Sequence, residues 1–180
     1  MVIETADLFS NHIQKSNFEN LDNQTINKIK VFLLDSLGVG IAGSTGANLS
    51  ELKKVANSWS KGNECTVLGT WENYSRDTAT LINAYQIHCL EFDCIHEGAV
   101  VHPMAAILSS LLAHCETLNN EGRHINGKEF LLALALGVDI ASFLGISAKG
   151  ELKCSQINAN ECSQTSKKFL EQLRSQIFIC

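Results

Sequence analysis

The chain has one proline in 180 residues, no CxxC pair and no stretch dense in lysine and arginine. Each shortage excludes something. A nucleic-acid footprint needs a basic stripe, and here the net charge is -5 with a pI near 5.6. The seven cysteines are irregularly spaced and odd in number, which fits a reduced, cytoplasmic chain better than a disulfide framework. The N-terminus lacks the charged, then apolar, then small-residue order of a secretory signal. Spanning a bilayer takes roughly 18 to 20 apolar residues. The longest candidate, Phe130 to Ile146, is interrupted by Gly137 and Asp139, so no membrane segment is expected. Walker, GxSxG and HExxH sequences are absent, and Gly38-Val-Gly40 stops before a GxGxxG pattern completes.

What is present is apolar and periodic. Apolar residues make up 45% and charged ones 18%, enough for a sizeable core. Helical spacing runs through Leu8, Phe9, His12 and Ile13 after a capping Thr5, and through Ile26, Ile29, Phe32, Leu33 and Leu37 as far as Gly43. Gly38 and Gly40 in that segment allow close helix packing. A third helix opens at Asn48 or Ser50 and stops at Gly62. Cys65 to Thr70 reads as extended, Ser75 to about Phe92 as helix, and Pro103 as the first turn of the next helix. Asn126-Gly127-Lys128-Glu129 leads into a last helix from Phe130 to about Leu144. Trp59 and Trp71 read as packing residues. The fold class predicted is all-α with at most one short strand. From Cys154 onward the pattern turns polar and irregular, and three of the seven cysteines, Cys154, Cys162 and Cys180, fall there.

One segment concentrates chemistry. Between His88 and His102 lie three histidines (His88, His96, His102) and three carboxylates (Glu91, Asp93, Glu97). His88 and Glu91 are three apart, as are Asp93 and His96, which on a helix puts each pair on one face. His102 precedes Pro103 at a predicted helix start, where free N–H groups and the helix dipole attract anions. A histidine beside an aspartate there suits general acid/base work near neutral pH. Gly98 permits the turn that would fold Asp93 back toward His102. Plainer readings stand beside these: His88 as a satisfied helix histidine, Glu91 and Glu97 as solvated carboxylates, Cys94 as a small buried residue rather than a nucleophile. Glu91, His96 and His102 could also ligate a metal, but no second Glu-x-x-His accompanies them, and no metal is expected.

Three blocks resemble the MmgE/PrpD family, whose members include 2-methylcitrate dehydratase and cis-aconitate decarboxylase. They are Leu34-Asp35-Ser-Leu-Gly38-Val-Gly-Ile-Ala42-Gly43, then Asn83-Ala-Tyr-Gln-Ile-His88-Cys-Leu-Glu91-Phe-Asp93-Cys-Ile-His96, then Val100-Val-His102-Pro103. The helical run Gly127 to Ala141 also fits. The resemblance implies a helical N-terminal domain of a cofactor-independent lyase, homodimeric in the intact family, acting on small di- or tricarboxylates. It implies Asp93, His102 and His96 as catalytic residues and Glu91 and His88 as substrate-binding ones. Ala84 stands where the family usually has Gly, Cys94 where it has a second Asp, and Met104 where it has Ser or Gly. Family members are much longer, with a second α/β domain that completes the cleft and supplies further histidine and lysine. The expectation is therefore a truncated helical domain over 1–150, inactive by itself, with a divergent tail over 151–180 that begins near Lys153. Such a break predicts that the gene region continues, in another frame, into the rest of a family member. The rival from another class is a non-catalytic helical interaction module.

Overall fold

Short polar side chains set the helix starts. Asp22 Oδ1 accepts the Thr25 amide at 2.7 Å, and Ser75 caps the amide of Thr78. Asn126 Oδ1 accepts from the Lys128 and Glu129 amides while Glu129 Oε2 accepts from the Asn126 amide, a reciprocal box. The computed structural model describes residues 5–59 and 61–149. Among them run six helices: α1 (Thr5–Lys15), α2 (Asn23–Ala42), α3 (Leu49–Trp59), α4 (Arg76–His88), α5 (Pro103–Asn120) and α6 (Gly127–Lys149). Two-residue strands β1 (Cys65–Thr66) and β2 (Asn73–Tyr74) pair antiparallel, Cys65 opposite Tyr74. The all-α reading holds, with this hairpin as its short extended piece. The readings of the tail, including the break near Lys153, lie outside the described residues.

Helix α4 is central, packed by α2, α3 and α5. Its first half joins Leu49 of α3, Cys65 and Val67 of the hairpin and Ala113 of α5 around Ala79 and Ile82. Its second half brings Ile87 against Ile29, Met104, Leu108 and Leu134, so α2, α5 and α6 meet there. Close approach of α2 to α4 depends on glycine. A Cβ at Gly43 would overlap the backbone carbonyl of Gln86, and one at Gly40 would stand 2.9 Å from Leu68 Cδ1 and 3.0 Å from Ile87 Cγ1. Gly38, expected to share this role, does not: nothing lies within 4 Å of its Cβ direction, because it points away from α4. Trp59 and Trp71, expected to pack, are instead 70% and 66% exposed.

Two buried amides on α4 hold the hairpin to the core. Asn83 Oδ1 accepts the Leu68 amide at 2.9 Å and its Nδ2 donates to Thr66 O at 3.0 Å. Gln86 Nε2 donates to Leu68 O and Gly40 O. Backbone groups pinned this way cannot turn to water. Asn83→Ala strands two of them, each costing about 1–3 kcal/mol, so a loss of more than about 2 kcal/mol is expected in denaturant unfolding. A change within experimental error would show that the Asn83 clamp contributes nothing.

Helix α6 corrects one reading of the sequence. Gly137 and Asp139 do not interrupt it, and Gly127–Ser147, with mean hydropathy 2.1, is by length and composition long and apolar enough to cross a membrane. Leu134 is fully buried in the second core cluster. Asp139 Oδ2 meets His12 Nε2 at 2.8 Å, and Phe9 and Phe143 stack edge to face beside them, tying α1 to α6. Burial pushes the Asp139 carboxyl above its ordinary value of 3.8, with His12 opposing the shift. The folded chain therefore binds more protons than the unfolded one just above that pH, and this contribution to stability is lost as pH rises through the raised pKa. In thermal melts, the stability of the native chain relative to Asp139→Asn should fall as pH rises from about 4. A difference that is flat with pH would contradict the shift.

Candidate active site

Helix α4 stops at His88, four residues earlier than its pattern suggests, although no glycine or proline marks the end. Glu91, at φ 55, takes a left-handed conformation there, and the Glu91 amide donates to His88 O. That reversal carries Asp93 back over the last turn of α4. Asp93 and His96 consequently do not share a helical face. A second reversal follows. The His96 amide donates to Val101 O, and the turn between them contains Gly98, yet the left-handed residue is Val100 at φ 52. A left-handed β-branched residue is rare and strained. His102 then takes the N-cap position of α5 without capping it, and Pro103 fills the first turn.

The result is a compact cluster drawn from three elements. Asp93 has a fully buried side chain, with both carboxylate oxygens 3.1 Å from His88 Nδ1. His102 Nδ1 lies 3.2 Å from Asp93 Oδ2. It has the distance of a hydrogen bond but not the geometry, and this buried nitrogen has no hydrogen-bond partner among the described residues. The two rings meet edge on, centroids 5.1 Å apart. A buried carboxylate has to be paired, and here two imidazoles face it while each stays partly open to solvent. Glu91 Oε1 stands 3.7 Å from His88 Nε2, on the outer side of the ring.

The predicted residues are thus sorted by the fold. Asp93, His102 and His88 come together, with Glu91 at the edge. His96 is engaged elsewhere: its Nδ1 accepts the Ala99 amide at 3.0 Å, which orders the 96–101 turn. His88, open in the sequence between a structural and a functional role, is the closest partner of Asp93. The five-residue separation of the pair belongs to no regular period, so only the density of titratable residues hinted at it. Cys94, expected to be buried, is only partly so and packs against the second core cluster. Chemically, a carboxylate held between imidazoles can orient a ring and stabilise it when it takes up a proton. The three residues also offer two nitrogens and an oxygen within 4.8 Å of one another, a ligand set different from the Glu91–His96–His102 set weighed in the sequence.

Beside the cluster, Leu34, Asp35, Gly38, Val39 and Ala42 of α2 face Leu90 and Phe92 across an open groove of about 300 Å³. None of the three cluster residues lines it. Phe92 is 77% exposed and Leu34 74%.

Comparison with known proteins gives this arrangement a context. Residues 7–154 match the MmgE/PrpD N-terminal domain. A cis-aconitate decarboxylase-like protein of Aspergillus oryzae is 25% identical over 148 residues, covering 81% of this chain and 30% of that protein. Cis-aconitate decarboxylase of Mus musculus is 27% identical over 141 residues, 78% of this chain and 28% of the mouse protein. The human cis-aconitate decarboxylase is also 27% identical, with 29% of its length covered. The chain therefore spans less than a third of the curated relatives it matches. The match over residues 7–154 is decisive: this chain belongs to the MmgE/PrpD family.

Proposed function

We propose that residues 7–154 form one wall of a lyase active site for small di- or tricarboxylates of the cis-aconitate and 2-methylcitrate kind. The observation that carries the reading is the buried Asp93 carboxylate, held within 3.2 Å of both His88 and His102 at the start of α5. His102 is the acid/base residue and Asp93 orients it. His88 and Glu91 stand where a substrate oxygen would enter, and His96 supports the turn that carries His102. In a dehydration a proton leaves a carbon next to a carboxylate as hydroxide departs from the neighbouring carbon; in a decarboxylation carbon dioxide departs, its bonding pair stays on carbon, and the acid/base group delivers a proton there. In either case fixed positive groups stabilise the enolate-like transition state.

Catalysis on this reading needs more polypeptide than the matched region. Two imidazoles and one carboxylate do not neutralise a tricarboxylate, so cationic partners must come from elsewhere. The relatives named above are more than three times as long as the segment matched. Substrate positioning by a complete cleft is worth about 7–11 kcal/mol of barrier lowering. Exposed Val31, Leu34 and Phe92 support burial of this face against further chain or a second copy, as in a homodimer. That same apolar face also favours the rival, a helical interaction module without chemistry.

The test is a lyase assay of the purified chain on cis-aconitate and 2-methylcitrate, beside His102→Ala. No turnover is expected from this chain by itself. Turnover abolished in His102→Ala would establish the site while refuting the need for further polypeptide. Turnover indifferent to the variant would sink the assignment.

A further inference from the structure

We infer that Gly145, near the end of α6, is a positioning residue that sets where His102 stands. The inference rests on the reading of His102 as the acid/base residue, and it names what holds that residue in place. Gly145 acts through Ala99. A Cβ on Gly145 would stand 2.6 Å from the Ala99 carbonyl oxygen, 2.7 Å from Ala99 Cβ and 3.2 Å from the carbonyl carbon. No side chain fits so close to backbone, so α6 reaches the 96–101 turn only because position 145 is glycine.

That turn needs a support of this kind. Left-handed Val100 is strained, and such a state persists only where its surroundings over-determine it. The Val100 side chain contributes little, being 62% exposed. Three hydrogen bonds close the turn instead. The His96 amide donates to Val101 O at 2.9 Å, the Val100 amide to His96 O at 2.7 Å, and the Ala99 amide to His96 Nδ1 at 3.0 Å. From His96 to Val101, Ala99 is the one buried residue; the other five are exposed or half-buried. The turn is therefore anchored to the body of the domain through Ala99, and Ala99 rests on Gly145.

His102 inherits its place from this contact. Its ring faces Asp93 at 3.2 Å without hydrogen-bond geometry, and it makes no capping bond to α5. What fixes it is backbone on either side: buried Pro103 after it, and the clamped turn before it. A side chain at position 145 would push Ala99 away from α6 and carry Val101 and His102 with it. A misplacement of about 1 Å, even one caused far from the chemistry, can cost about 100-fold in rate. Gly137, about two turns earlier on α6, supplies the contrast. Its Cβ would also stand 2.6 Å from the nearest atom, but that atom is Ile107 Cγ2 of an α5 side chain, not turn backbone.

The test compares Gly145→Ala with Gly137→Ala in the 180-residue chain. Histidine NMR, amide exchange and thermal melting are read first, and titration with cis-aconitate follows. Gly145→Ala is expected to move the His102 ring signals and to speed exchange of the His96 and Val100 amides by at least about tenfold. It should also weaken cis-aconitate binding at the cluster by at least about tenfold. Gly137→Ala lowers the melting temperature but leaves these three readings unchanged, and the signals of exposed His124 stay put in both variants. Where Gly145→Ala fails to fold, Ala99→Gly removes the buried methyl without adding bulk, and it should loosen the same turn. His102 signals unmoved in Gly145→Ala, or moved equally by Gly137→Ala, would overturn the inference and leave Gly145 a packing residue. Displaced His102 signals with unchanged cis-aconitate affinity would overturn it as well. Absence of cis-aconitate binding by the native chain would overturn the proposed function alone, because the ring signals and amide exchange are read without it.

Discussion

Gly43→Ala should destabilise the chain by about 3 kcal/mol or more, the upper end of what overpacking costs. The added Cβ would coincide with the Gln86 carbonyl and stand 2.7 Å from its carbon and 3.0 Å from its Cα. These are backbone atoms in the last turn of α4, so no rotamer change relieves the contact. The helices have to separate, which breaks the Gln86 bond to Gly40 O and opens the contact between Gly40 and Ile87. Because His88 and Asp93 hang from the end of α4, the site loosens with the packing. Gly38→Ala, inside the helix that Gly43 terminates, is the control: its Cβ meets nothing within 4 Å, and helix propensity favours alanine by about 1 kcal/mol. Chemical denaturation of the two variants should therefore move in opposite directions. Equal, small effects would show that α2 and α4 are not held as close as described.

The second large effect is on chemistry. In a polypeptide whose cleft is complete, His102→Ala should lower kcat by about 100- to 10,000-fold, the span attributed to a positioned acid/base group. His102 occupies the N-cap of α5 but makes no capping bond, so its loss removes little helix stability. That separation makes the prediction sharp: turnover falls while the melting temperature moves little. A fall in turnover matched by unfolding would assign His102 a structural role instead.

Much of this was legible in the sequence, for identifiable reasons. The helices announced themselves through 3.6-residue spacing and through Ser75, Asn126 and Pro103 at their starts, whereas the Asp22 cap emerged only from the structure. Asp93 and His102 were expected to meet, and they do. What escaped was decided by tertiary contact. The early end of α4 has no breaker residue; it rests on a left-handed glutamate and a carboxylate turned under two rings. The same event detached His96 from Asp93 and put His88 in its place. Gly38 and Gly43 look alike in the sequence, and only the direction of α4 separates them. Asp139 seemed to interrupt an apolar run, but a hydrogen-bond partner on α1, the half-buried His12, lets α6 carry it.

The central claim is that the cluster of His88, Asp93 and His102 meets a carboxylate substrate. Its most direct test is the histidine NMR spectrum of the metal-free chain titrated with cis-aconitate. The account predicts saturable shifts at His88 and His102, absent in Asp93→Asn, with His124 unmoved. Saturable shifts confined to other histidines, or no shift at any concentration, would contradict it.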